Sequence, residues 1–289
     1  MKKSFTPHLY IQSRRQLVLP VAFLASLTGA VTCANAATLL NEGFESFTNG
    51  TVITATPANG WYNTDNASTP AGGVAKISSD QKHTGDNSLY LMDTAETYTA
   101  TANYNFGETV SAGTLDFWIL SAPDYTSAGR INYRVEFLRP GGGSNFALII
   151  GAGTSTFSFR NSSSTGNNLK TVTFSETGNA YIASGWNHFV ISFDDAAKSV
   201  SILLNDVTVM SLSSADFASI TLTTGYATPT LMVSGIGFNV GWGAGVAHVA
   251  YVDDILFTTP ASAVPELSAW GILAGLLSIV PVLVFRRRR

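Results

Sequence analysis

Between residues 37 and 259 the chain alternates apolar and polar residues with a period of two, and each run is broken by Gly, Asn, Ser or Asp. In Ile131 to Leu138, for example, Ile131, Tyr133, Val135 and Phe137 fall on one face, and Asn132, Arg134 and Glu136 on the other. Successive strand side chains point to opposite faces, so such a run buries one face and leaves the other to solvent. His188 to Asp194 repeats the device with Phe189, Ile191 and Phe193 inward. In Ser199 to Leu212 two β-branched runs flank Asn205-Asp206, which tolerate the positive φ of a tight hairpin. Comparable runs lie at 87–93, 113–120, 145–151, 156–161, 170–176, 231–240 and 249–257. No amphipathic helix, fixed-period repeat or long linker interrupts them. The pattern predicts one all-β domain over 37–260, a sandwich of short antiparallel strands.

The ends read differently. Residues 1–36 carry Lys2, Lys3, Arg14 and Arg15, then the apolar stretch Leu17 to Val31, then Ala34-Asn35-Ala36, the order of a cleaved secretory signal. The single cysteine, Cys33, lies within that signal, so the exported fold must hold without disulfides, and thiol chemistry and Cys-ligated zinc are excluded from it. Between Ala37 and Ala263 there are 8 basic and 18 acidic residues, a net charge of about −10. Such a body disfavours nucleic acid and anionic membrane surfaces as partners and offers oxygen ligands of the kind Ca²⁺ takes.

Over residues 261–289, Leu267 to Phe285 are 19 residues without a charge, which as a helix span about 28 Å, near the thickness of a bilayer core. Val264-Pro265-Glu266, Trp270, this apolar run and Arg286, Arg287, Arg288 and Arg289 together resemble the PEP-CTERM sorting signal of Gram-negative bacteria, although Leu267 stands where the family usually has proline. The resemblance implies a transient inner-membrane helix, cleavage near the tripeptide by an exosortase-type protease, and release to the cell surface or extracellular matrix. A plain C-terminal anchor is the alternative.

In the body, Asn41 to Thr51, His83 to Leu91, Gly113 to Leu120, Gly185 to Asp206 and Ala250 to Phe257 resemble, in that order, the segments of bacterial concanavalin A-like, laminin-G-like jelly rolls. Galactose-binding-like modules open and close with similar phrases. The resemblance implies a carbohydrate-related β-sandwich, and the function expected is non-enzymatic polysaccharide binding. A divergent polysaccharide lyase or glycoside hydrolase, or a structural matrix protein without a ligand, are the alternatives. The glucanase Glu-x-Asp-x-x-Glu strand is absent. Arg134-Val135-Glu136-Phe137-Leu138-Arg139 only approximates the alginate-lyase strand, its second arginine being displaced by one residue and therefore turned to the other face.

Two candidate sites follow. Sugars stack on flat aromatic rings, and Trp61, Tyr62 and Trp242 sit beside Gly in loop-like settings; plugging the end of the core is the competing role for the two tryptophans. Trp118 and Trp186 are expected in the core. Glu45, Asp253 and Asp254 lie near the two ends of the body, where adjacent first and last strands would bring them together. Jelly rolls often hold a structural Ca²⁺ there, and carboxylates capped by backbone N–H groups are the alternative. One of the two aspartates is expected to point coreward.

Overall fold

The computed structural model describes residues 36–63, 73–93, 99–121, 132–151, 155–161, 168–178, 180–182, 185–218, 230–241 and 248–261. The expected signal and the sorting tail, including Val264, Pro265, Glu266 and Arg286 to Arg289, lie almost entirely outside them. Among the described residues no helix is long and apolar enough to cross a membrane.

In chain order the strands are β1 (Thr38–Glu42), β2 (Trp61–Tyr62), β3 (Gly73–Ser78), β4 (Ser88–Asp93), β5 (Thr99–Val110), β6 (Ala112–Ser121), β7 (Asn132–Leu138) and β8 (Ser144–Gly151). They continue with β9 (Thr156–Asn161), β10 (Asn168–Thr173), β11 (Trp186–Asp194), β12 (Ser199–Leu204), β13 (Val207–Leu212), β14 (Val233–Gly241) and β15 (His248–Thr258), with one short helix, α1 (Ser214–Ala218), after β13. They form two antiparallel sheets. The first has the order β13-β12-β11-β6-β15-β4-β3, with β1 also on β15; the second has the order β10-β9-β8-β7-β14-β5-β2. Along β15, β4 covers the first half of one edge and β1 the second half, so the first and last strands are neighbours.

The alternation read from the sequence decides what lies between the sheets. Tyr133, Val135, Phe137, Leu148, Phe157, Phe189 and Ile191 are all buried in one continuous core. Aromatic rings interlock across it: Phe117 of β6 meets Phe238 of β14 edge-on at 5.2 Å, and Phe193 of β11 meets Phe146 of β8 at 5.5 Å. Asn205 and Asp206 take φ of 47° and 65°, the positive φ expected of a tight hairpin between β12 and β13. The unit built this way spans Asn35–Ser262.

Candidate functional site

Trp61 does not present a face to a ligand. It is fully buried, its ring 5.4 Å from Phe44, 5.4 Å from Tyr104 and 6.4 Å from Phe238. The turn Asn59-Gly60, with φ of 48° and 87°, feeds a two-residue strand rather than a loop, and the pairing Trp61↔Tyr104 sets the indole on the core side of the second sheet. The next residue points the other way, so Tyr62, paired with Asn103, faces outward. Trp242 lies outside the described residues.

Glu45, Asp253 and Asp254, the carboxylates expected to bind Ca²⁺, clamp a loop. The register of β15 against β6 slips between Asp253 and Leu256, and Asp254 has φ of 48°: a β-bulge with Asp254 as the extra residue. The bulge restores the core face with Val252 and Ile255, so neither aspartate points into the core, contrary to the simple alternation. Asp253 is buried by the loop over the outer face, whose His83 and Thr84 backbone N–H groups donate to its Oδ2 at 2.8 and 3.3 Å, while its Oδ1 accepts from the Asp254 N–H at 2.8 Å. Asp254 accepts from His83 Nδ1 at 2.7 Å and Thr84 Oγ1 at 2.6 Å. Glu45 grips the same loop further on, accepting from the Asp86 and Asn87 N–H groups at 2.9 and 3.0 Å. Each of the three side chains accepts hydrogen bonds from this loop or from its own strand, and among the described residues no three His, Cys, Asp or Glu side chains are gathered into a group that could hold a metal ion.

Two tryptophans expected in the core lie beside the clamp on the outer face instead. Trp118 and Trp186 are half-buried on the outer side of the first sheet. The rings of His83 and His188 stack on Trp118 at 3.8 and 4.6 Å, and Trp186 meets His83 edge-on at 5.7 Å. His188 Nε2 is held by Asp116 at 2.7 Å. The π surface of Trp118 is therefore occupied within the protein.

The second sheet offers a different surface on its outward side. Residues directly opposite in paired antiparallel strands share a face. One row therefore runs Tyr62, Asn103, Gly237, Glu136, Ala147, Arg160 across β2, β5, β14, β7, β8 and β9. The adjacent row runs Thr101, Asn239, Arg134, Ile149, Ser158. At about 4.8 Å per strand, six strands span roughly 24 Å. Thr101, Asn103, Ser158 and Asn239 are buried although they face away from the core. Asn239 donates from Nδ2 to Thr101 Oγ1 at 2.9 Å, but its Oδ1 has no hydrogen-bond partner among the described residues. Gly237, in the middle of the first row, lets the Asn103 side chain lie over it: a Cβ there would stand 2.2 Å from Asn103 Oδ1.

Next to these rows lies a cleft of about 280 Å³, lined by Tyr62, Asn105, Glu108, Arg139, Gly142 and Ser234 among others. That volume lies just below the usual range of ligand pockets, about 300–1,000 Å³. Burial pushes the Tyr62 phenol above its usual range, so it stays a neutral hydroxyl. Burial also lowers the pKa of the Arg134 guanidinium, Glu136 opposes that and Arg160 adds to it, so the three charges feel one another. Tyr62 was a candidate from the sequence, whereas Asn103, Asn239 and Arg160 were not. For Asn103 a signal is present in the alternation of Thr101, Asn103 and Asn105 with Ala100, Ala102 and Tyr104.

No known protein family and no curated protein sequence matches the chain. Among solved structures, the cellulose-induced protein Cip1 aligns with a TM-score of 0.52 at 14% identity, over 75% of this chain and 96% of its own. A sialidase aligns at 0.46 and 11% identity over 69% of this chain, which spans only 17% of the sialidase. A carbohydrate esterase from a Shiga toxin-encoding bacteriophage aligns at 0.45 and 13% identity over 78% of this chain and 99% of its own. The likeness to Cip1 is one of fold: a two-sheet β-sandwich.

Proposed function

We propose that this chain is an exported, non-enzymatic polysaccharide-binding protein of a Gram-negative cell surface or extracellular matrix. Its body is a concanavalin A-like jelly roll, and its tail is a PEP-CTERM-type signal for an exosortase-type protease. The single observation that carries the binding role is the outward face of the second sheet, where Tyr62 and Asn103 share one row and Asn239 and Arg134 the next, beside a cleft. Binding sites of this type combine an aromatic ring with a few fixed polar groups. The loss of Trp61 from the site moves the aromatic contribution to Tyr62. Many copies on a surface multiply a weak single-site affinity.

The test is a glycan-array and polysaccharide-pulldown screen of residues 37–263, which contain the whole two-sheet unit, with product analysis of every ligand retained. Binding without cleavage that falls about tenfold in Tyr62→Ala, corresponding to ~1.4 kcal/mol, is the expected result. Cleavage products would replace the reading with an enzymatic one, and no retention on any glycan would leave a matrix protein without a ligand.

A further inference from the structure

The body has four arginines, Arg130, Arg134, Arg139 and Arg160, and four lysines. Three of the four arginines gather on one side of the molecule. Arg134 and Arg160 stand in adjacent rows of the second sheet's outward face, and Arg139 lines the cleft at its margin. The lysines lie elsewhere: Lys76 over the Tyr90 ring at 4.9 Å, Lys82 by Asp86, Lys198 by Asp195, and Lys170 on Ser211 O. In a body of net charge about −10 this segregation by residue type is specific to one face. Arginine differs from lysine in presenting a planar fork of donors that matches a carboxylate in two parallel hydrogen bonds.

Among the described residues of the two rows, Glu136 is the one acid alongside Arg134 and Arg160, so these three groups sum to one positive charge. Between the charges lie groups suited to hydroxyls: Asn103, and Asn239, whose side chain is about nine-tenths buried with an Oδ1 that accepts from no described donor. Gly237, having no side chain of its own, lets the Asn103 amide lie between the two strands beside Glu136. A neutral sugar needs the amides and the ring of Tyr62 but has no use for paired guanidinium groups.

We propose that this face takes a polysaccharide whose sugar rings carry carboxylates, a polyuronate, with Arg160 and Arg134 receiving the carboxylate and Asn103, Asn239 and Tyr62 receiving the ring. The proposal rests on the polysaccharide-binding reading above and adds the charge class of the ligand to it. Arg160 and Arg134 are both half-buried, and burial lowers the pKa of the Arg134 guanidinium.

The experiment measures binding of residues 37–263 to polygalacturonate, to the same polymer after reduction of its carboxyls to alcohols, and to a panel of neutral glucans and xylans. Three variants are compared: Arg160→Gln, Arg160→Lys, and Lys76→Gln as a charge-matched control on the opposite sheet. Thermal melting reports whether each is folded. Expected are retention of polygalacturonate, loss on carboxyl reduction, at least a tenfold weakening in both Arg160 variants, wild-type binding in Lys76→Gln, and weaker binding as salt is raised. Equal binding of the acidic and reduced polymers, or an Arg160→Gln variant that binds polygalacturonate as the wild type does, overturns the proposal while leaving polysaccharide binding intact. Retention of none of the polymers, neutral or acidic, removes the underlying reading as well.

Discussion

Replacing Asp253 by Asn changes how the stability of the domain depends on pH, in a direction that follows from the clamp. Burial pushes the Asp253 carboxyl from 3.8 up to about 6, against the pull of the backbone N–H groups of His83 and Asp254. The folded chain therefore holds this proton more tightly than the unfolded chain does. The resulting contribution to stability is fully present below pH 3.8 and is lost as pH rises through about 6. A gap of about two pH units corresponds to on the order of 3 kcal/mol. Asparagine does not titrate, and both proteins keep Asp254, His83 and Glu45, so the difference between them isolates this one group. Urea unfolding of residues 37–263 at pH 4 and pH 7.5 supplies the four stabilities. The wild type gains on Asp253→Asn by up to ~3 kcal/mol on going from pH 7.5 to pH 4. A difference that is flat with pH, or one that grows toward neutral pH as for an ion-paired carboxylate, refutes the buried-acceptor account of Asp253.

Trp61→Ala removes a fully buried ring packed against Phe44, Tyr104 and Phe238, and costs about 3–5 kcal/mol in urea unfolding; a cost under ~1 kcal/mol would return Trp61 to the surface. Gly237→Ala places a methyl 2.2 Å from Oδ1 of the buried Asn103 side chain. It costs about 1–3 kcal/mol through overpacking while displacing Asn103 and lowering polysaccharide retention; unchanged retention would take Gly237 off the site.

Much of the sandwich was legible because period-two alternation is a direct consequence of strand geometry. The strand at Tyr133 to Leu138, the inward set of Phe189, Ile191 and Phe193, and the Asn205-Asp206 hairpin were all readable from it. Trp118 was legible too: Leu115, Phe117 and Ile119 are inward, so alternation places Asp116 and Trp118 outward, and the usual burial of tryptophan was the wrong guide. Asp253 and Asp254 were not, because one inserted residue with left-handed φ flips the face of everything after it, and nothing local marks that insertion. Trp61 and Tyr62 follow a turn, which hid a strand of two residues that exists only through its pairing with Tyr104 and Asn103. The rows that join Tyr62, Asn103, Gly237, Glu136 and Arg160 draw on residues nearly the whole domain apart. Strand order across a sheet, which no short stretch of sequence specifies, is what assembles them.

The most direct test of the account is amide chemical-shift mapping of ¹⁵N-labelled residues 37–263 titrated with an oligosaccharide of whichever polymer is retained. The account predicts saturable shifts confined to the second sheet's outward rows and the cleft, at Tyr62, Asn103, Gly237, Asn239 and Arg160, with those of Trp118, His188 and Trp186 unmoved. Shifts centred instead on Trp118 and Trp186 would place the site on the other sheet and contradict it.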